Sequence, residues 1–173
     1  YYTKAQVLEA LGRIDEAIEV YKEAGSLPEA AADLYQFFNQ SDTTIRIWRA
    51  PLAAALLLER QGRCAEAEQQ YRKALQWDVN NLTALLGLAR ISRAQGNAYE
   101  GRRWAKRAVT VHPAVFETHV AYVEALLTAN DWDEAWGHIE EAQLTPEQHS
   151  RLLTGLANYA AAQGNYLLSL KAA

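Results

Sequence analysis

Residues 94–104 read AQGNAYEGRRW, the chain's nearest approach to a motif that does chemistry. Gly96 and Gly101 match the glycines of G-x-x-x-x-G-K-[ST], a loop whose backbone N–H groups cradle phosphates. Arg102 stands where the lysine belongs and Arg103 where the Mg²⁺-binding hydroxyl belongs. Both terminal residues are therefore wrong, and the preceding run LTALLGLARISRAQ has a helical period where the motif needs a strand. The four histidines, at 112, 119, 138 and 149, are scattered. His138 and Glu141 form an i,i+3 pair that could share a metal, but no second pair stands ready to complete the site. Cys64 lies beside Arg63, which favours thiolate slightly, yet a lone cysteine of this kind reads as a small packing residue. With no GxSxG, HExxH or paired Cys–His signature, the sequence predicts no enzyme, no cofactor and no metal.

Two further clusters have packing explanations. WDEAW, residues 132–136, puts two tryptophans on one helical face; core packing between helices is expected, against an aromatic platform. RRWAKR, residues 102–107, is basic, with its cations on the solvated side of a helix whose other side carries Ala105 and Ala108.

The elements that would hold these residues are helices. Ala, Leu, Gln, Glu and Arg dominate the 173 residues, with nine Gly and four Pro. A net charge of −4 gives no basic excess for nucleic acid. No apolar run approaches the ~20 residues that a membrane span needs, so no membrane insertion by this segment is expected. A single cysteine leaves the redox compartment open. The first residues, YYTKAQVLEALG, already show a helical pattern and no initiator Met, which reads as a piece of a longer protein.

The helices repeat. LGRIDEAIEVYKEA, QGRCAEAEQQYRKA, QGNAYEGRRWAKRA and ANDWDEAWGHIEEA align, and QGNYLLSLKAA begins a fifth copy. Their turn residues are Gly12, Gly62, Gly96, Asn130 and Gly164, spaced 50, 34, 34 and 34 apart. Five places after the turn stands Ala17, Ala67, Gly101, Ala135 or Ser169. Nine places after it stands Tyr21, Tyr71, Ala105 or Ile139, and twelve after it Ala24, Ala74, Ala108 or Ala142. Steps of four and three put these slots on one helical face, where small residues let a neighbouring helix come close. Glycine or asparagine after each apolar run suits a left-handed C-cap, and Pro28, Pro113 and Pro146 would separate one unit from the next.

These features resemble the tetratricopeptide repeat, a 34-residue helix–turn–helix unit. The resemblance is closest in the second helix. In the first helix, places where the family often has Trp and Tyr hold Pro51, Leu85, His119 and Leu153, then Leu58, Ser92, Leu126 and Ala160. It implies an all-α solenoid, a superhelix of antiparallel helix pairs. The expected units are a repeat at 1–31, an irregular segment at 32–47, repeats at 48–81, 82–115 and 116–149, and a partial repeat at 150–173. Ser26, Pro28 and Glu29 read as a helix start and SDTT, residues 41–44, as a loop or new cap. The surplus residues fit a loop that grew, or an insertion presenting Tyr35, Phe37 and Trp48 to a partner. Pro51 places the following helix start or kink near 48–51.

The resemblance further implies partner binding on a concave face lined by first helices. The inward places are Arg49, Leu52, Leu56 and Glu59; Thr83, Leu86, Arg90 and Arg93; Glu117, Val120, Glu124 and Leu127; and Arg151, Thr154 and Asn158. Some members of the family clamp acidic chaperone tails with a Lys and an Asn four residues apart. Leu52/Leu56, Leu86/Arg90, Val120/Glu124 and Thr154/Asn158 hold those places here and make no clamp. A non-catalytic scaffold for a protein or peptide is the leading expectation, in the bacterial cytoplasm or periplasm. The second is a periplasmic spacer or assembly segment, since the Ala/Arg/Gln-rich repeats are similar to the arms of exopolysaccharide-export proteins, where a polysaccharide could be a partner. A regulatory segment fused to an enzyme is a third.

Overall fold

The computed structural model describes residues 1–26 and 49–164. The expectations for 27–48, including the helix start at Ser26–Glu29 and the insertion aromatics, lie outside or run beyond the described residues, as does the last copy's Ser169. The described residues form helices α1 (Tyr2–Ala10), α2 (Ile14–Ala24), α3 (Arg49–Arg60), α4 (Cys64–Trp77), α5 (Leu82–Ala94), α6 (Ala98–Val111), α7 (Phe116–Thr128), α8 (Trp132–Glu141) and α9 (Pro146–Ala162), with no strand among them. The all-α expectation holds among the described residues, and the helix start or kink expected near 48–51 falls at the edge of those residues.

Each helix pair is joined by the same tight turn. Gly12, Gly62, Gly96 and Gly164 have φ between 74° and 77°, and Asn130 takes 60°. In the first four turns the next amide reaches back to a carbonyl five residues earlier: Arg13 to Leu8, Arg63 to Leu58, Asn97 to Ser92 and Asp131 to Leu126, each 2.9 Å. This is the Schellman arrangement, which satisfies carbonyls the helix end would otherwise leave unpaired. A side chain with a Cβ is strained at such a φ, so glycine fills four places and asparagine the fifth.

The chain divides into two compact units, Tyr1–Leu88 and Ala89–Ala173, with the boundary inside α5. In the first unit α1 packs on α2, α2 on α3 and α3 on α4. Ala17, Tyr21, Ala67, Tyr71 and Ala74 are buried, as the slots require, while Ala24 is half-exposed. Tyr71 also donates from Oη to Glu59 Oε2 at 2.7 Å, so its ring is fixed at both ends. Asn81 caps α5 by accepting from the amide of Ala84 at 3.1 Å.

In the second unit α6 packs on α7, α7 on α8, and α9 on both. Gly101, Ala105, Ala108, Ala135 and Ile139 are buried. Ala142 is not a helix slot, because α8 ends at Glu141. A complete capping box starts α9: Thr145 Oγ1 accepts from Gln148 N at 3.2 Å, Gln148 Oε1 accepts from Thr145 N at 3.1 Å, and Pro146 opens the first turn.

Candidate partner-binding groove

The phosphate-loop resemblance dissolves on geometry. Gly96 is the left-handed turn residue, and Gly101 is buried in α6, where a Cβ would lie 3.4 Å from the Ala89 carbonyl oxygen. The arginines after it are engaged internally. Arg102 pairs with Asp131 and Glu134, and Arg103 pairs with Glu100 at 2.9 Å. Trp104, inside the basic cluster, is buried, with the Arg103 and Arg107 guanidinium carbons 5.0 and 6.0 Å from its ring centroid. The cluster is thus a packing and ion-pair device.

The tryptophans of WDEAW correct an expectation. Trp132 and Trp136 are half-exposed, because Ala135 and Ile139 occupy the face of α8 that is buried. Trp132 instead meets Tyr159 of α9, ring centroids 5.6 Å apart.

His138 has a partner the sequence did not reveal. Its Nε2 lies 3.0 Å from Nδ1 of buried His119, whose Nε2 lies 2.8 Å from the Pro113 carbonyl oxygen. That carbonyl can only accept, so His119 carries its proton on Nε2 and His138 donates to Nδ1. Burial, and then the neighbouring His119, push the His138 pKa below its ordinary value. Close by, Tyr122 donates to Glu134 at 2.5 Å. Burial first, then this bond, raise the Tyr122 hydroxyl to about 12; the same bond holds Glu134 low. These groups line a cavity of about 840 Å³ bounded by α6, α7 and α8. No trio of His, Cys, Asp or Glu among the described residues is arranged to hold a metal. Cys64 is a half-buried free thiol at the start of α4.

The expected first-helix lining falls into two sets. In the first unit Arg49, Leu56 and Thr83 are exposed and Leu52, Leu86 and Glu59 half-buried, with Glu59 accepting from Tyr71. In the second unit Arg90, Glu117, Glu124, Arg151, Thr154 and Asn158 are exposed, and Arg93 and Val120 are half-buried. Leu127 is buried at 4% exposure, so it is floor rather than lining. Five of these residues meet around one groove of about 400 Å³: Arg93, Val120, Glu124, Leu127 and Arg151. Glu117, Thr154 and Asn158 stand outside it.

The residues that the sequence reading missed make the groove what it is. Phe116 and Val123 of α7, and Leu152, Gly155 and Tyr159 of α9, complete the walls. Arg93 pairs with Glu124 across the mouth. The Arg151 guanidinium carbon sits 4.8 Å from the Phe116 ring centroid. Among the described residues nothing lies within 4 Å of where a Cβ on Gly155 would be. A glycine inside a helix costs about 1 kcal/mol relative to alanine, and here no packing contact demands it. The signal was available: Arg151, Gly155 and Tyr159 recur every four residues along α9, so they share one helical face. No described helix is long and apolar enough to cross a membrane.

Comparisons with known proteins agree with this architecture. A family model described as "Tetratricopeptide repeat" matches residues 1–30. "Cellulose synthase 1 operon protein C" of Komagataeibacter xylinus is 45% identical over 58 residues, 34% of this chain but only 4% of that protein. Among solved structures, "YrrB: a TPR protein with an unusual peptide-binding site" superposes with TM-score 0.69 at 17% identity, covering 99% of this chain and 80% of that one. MamA also reaches TM-score 0.69, at 14% identity, covering 97% of this chain and 89% of that one. At these identities the structural likeness is one of fold: an all-α solenoid of helix pairs.

Proposed function

We propose that this chain, which carries tetratricopeptide repeats and has their fold, is a protein-interaction scaffold that takes a peptide or protein partner on the first-helix face of its second unit. The observation that carries this reading is the α7–α9 groove: an apolar floor, a charged rim, and a mid-helix glycine that leaves room. Scaffolds of stacked helix pairs bind through such faces because the core is shared between neighbours and the first helices stay accessible. YrrB, a structural likeness, is described as having a peptide-binding site, which supports the choice of ligand class.

Panning a random peptide library on the chain tests the reading. Gly155→Leu should fill the groove and abolish capture of the selected peptides. Gly137→Leu should leave capture intact, since Gly137 also has open space above it but lines the separate α6–α8 cavity. Capture lost equally in both variants, or in neither, refutes the assignment.

The cellulose-operon likeness favours a second reading, in which the repeats are a spacer or assembly segment of a bacterial exopolysaccharide-export protein. The match covers a small part of both chains, so the reading extends only to these repeats. It predicts retention of the chain on a cellulose or other polysaccharide column, with competition by soluble oligosaccharide; no retention refutes a direct polysaccharide contact.

A further inference from the structure

We propose that the α7–α9 groove selects one chemical pattern, a carboxylate next to a bulky apolar side chain, with Arg151 as anion receptor and the space over Gly155 as socket. This rests on the reading of the groove as a peptide site. Arg93 and Glu124 neutralise one another, which leaves Arg151 as the uncompensated charge among the lining residues. Among the described residues Arg151 forms no ion pair, although Glu147 stands one helical turn away on the same helix. Its guanidinium lies over Phe116. A guanidinium stacked on a ring uses its face and keeps its in-plane N–H donors, the geometry that receives a carboxylate through two hydrogen bonds. An accessible, unsatisfied cation in a chain of net charge −4 is a local reversal of sign, and it favours an anionic partner group.

Val120, Val123, Leu127, Leu152 and Tyr159 give the groove apolar walls around a volume of about 400 Å³. Glycine weakens a helix, and no described residue comes within 4 Å of where a Cβ on Gly155 would stand. Close approach of a ligand to backbone is a purpose that glycine serves and alanine serves less well. The carboxylate and the apolar side chain must be near neighbours in the partner, since Arg151 and Gly155 are one helical turn apart, about 6 Å.

The random peptide library, panned in parallel on the wild-type chain and on Arg151→Glu, tests the pattern. Wild type should enrich peptides with Asp or Glu beside Phe, Leu, Ile or Trp. Arg151→Glu should weaken the binding of those peptides by about tenfold or more. It should also shift its own selection to Lys or Arg while keeping the apolar residue. Two results separate the layers of the argument. If wild type enriches nothing that Gly155→Leu abolishes, the groove is not a peptide site. If Gly155→Leu abolishes capture but the selected peptides lack acidic residues, or bind Arg151→Glu equally well, the groove stands and the carboxylate pattern is overturned.

Discussion

Gly87 and Gly155 occupy the same place in two repeats, nine residues before the left-handed glycines at 96 and 164. In α5 the place is filled: a Cβ on Gly87 would lie 2.4 Å from Cζ of Tyr71, a fully buried ring. In α9 no described residue lies within 4 Å of that place. The slot that holds Tyr71 in one repeat holds Ile139 in the repeat before α9. An aromatic ring that needs a glycine opposite it gives packing; a glycine without such a ring gives space. One repeat position thus serves the core in the first unit and the groove in the second.

The comparison can be broken by substitution. The largest effect is expected at Gly87→Ala. Forcing a methyl into the Tyr71 ring should cost about 1–3 kcal/mol, less the helix-propensity gain of up to about 1 kcal/mol, and urea denaturation should show the loss. In a Tyr71→Leu background the same substitution should lose most of its penalty, and a double-mutant cycle reads that coupling. Next comes Tyr71→Phe, which removes the hydroxyl bonded to Glu59 and should cost about 1 kcal/mol. Gly155→Ala should have the opposite sign, raising stability by up to about 1 kcal/mol, because the helix gains and no described neighbour is displaced. A destabilised Gly155→Ala would end the contrast.

The smallest effects are expected from pH, and they differ between the units. His138 in the second unit has a folded pKa below its ordinary 6.5. The unfolded chain therefore binds the extra proton first, and stability falls as pH drops through 6.5 towards the folded value. Replacing His138 by Gln should flatten that slope. In the first unit, the hydrogen bonds from Arg63 and then Lys22 hold the Glu66 carboxyl at about 2. Its contribution is complete above 4.5 and lost only as pH falls towards 2. Titrating stability between pH 7 and 5 should therefore report His138 and leave Glu66 silent.

The fold was readable because its determinants are local and recur. A left-handed glycine and small residues at fixed offsets act within one helix pair, and every copy adds to the signal. Gly101 as a packing slot and Gly96 as a turn followed directly from that register. The groove was readable only in part, because its walls depend on which neighbours a residue lacks. Register places Arg93, Glu124 and Arg151 on first helices, but it does not show that Arg93 pairs with Glu124 across two of them or that Arg151 lies over Phe116. Trp132 and Trp136 looked like core from spacing alone, yet the small Ala135 and the branched Ile139 hold the buried face. The His119–His138 contact joins residues 19 apart on two helices, a juxtaposition that helical periodicity does not encode.

Amide hydrogen exchange of the wild-type chain, with and without a peptide selected from the random library, tests the central claim most directly. The account predicts that the peptide slows exchange in α7 and α9, at Phe116–Thr128 and Pro146–Ala162, and leaves α2, α4 and α8 unchanged. Protection centred on α6 and α8 around the His119–His138 cavity, with α9 unaffected, would contradict it.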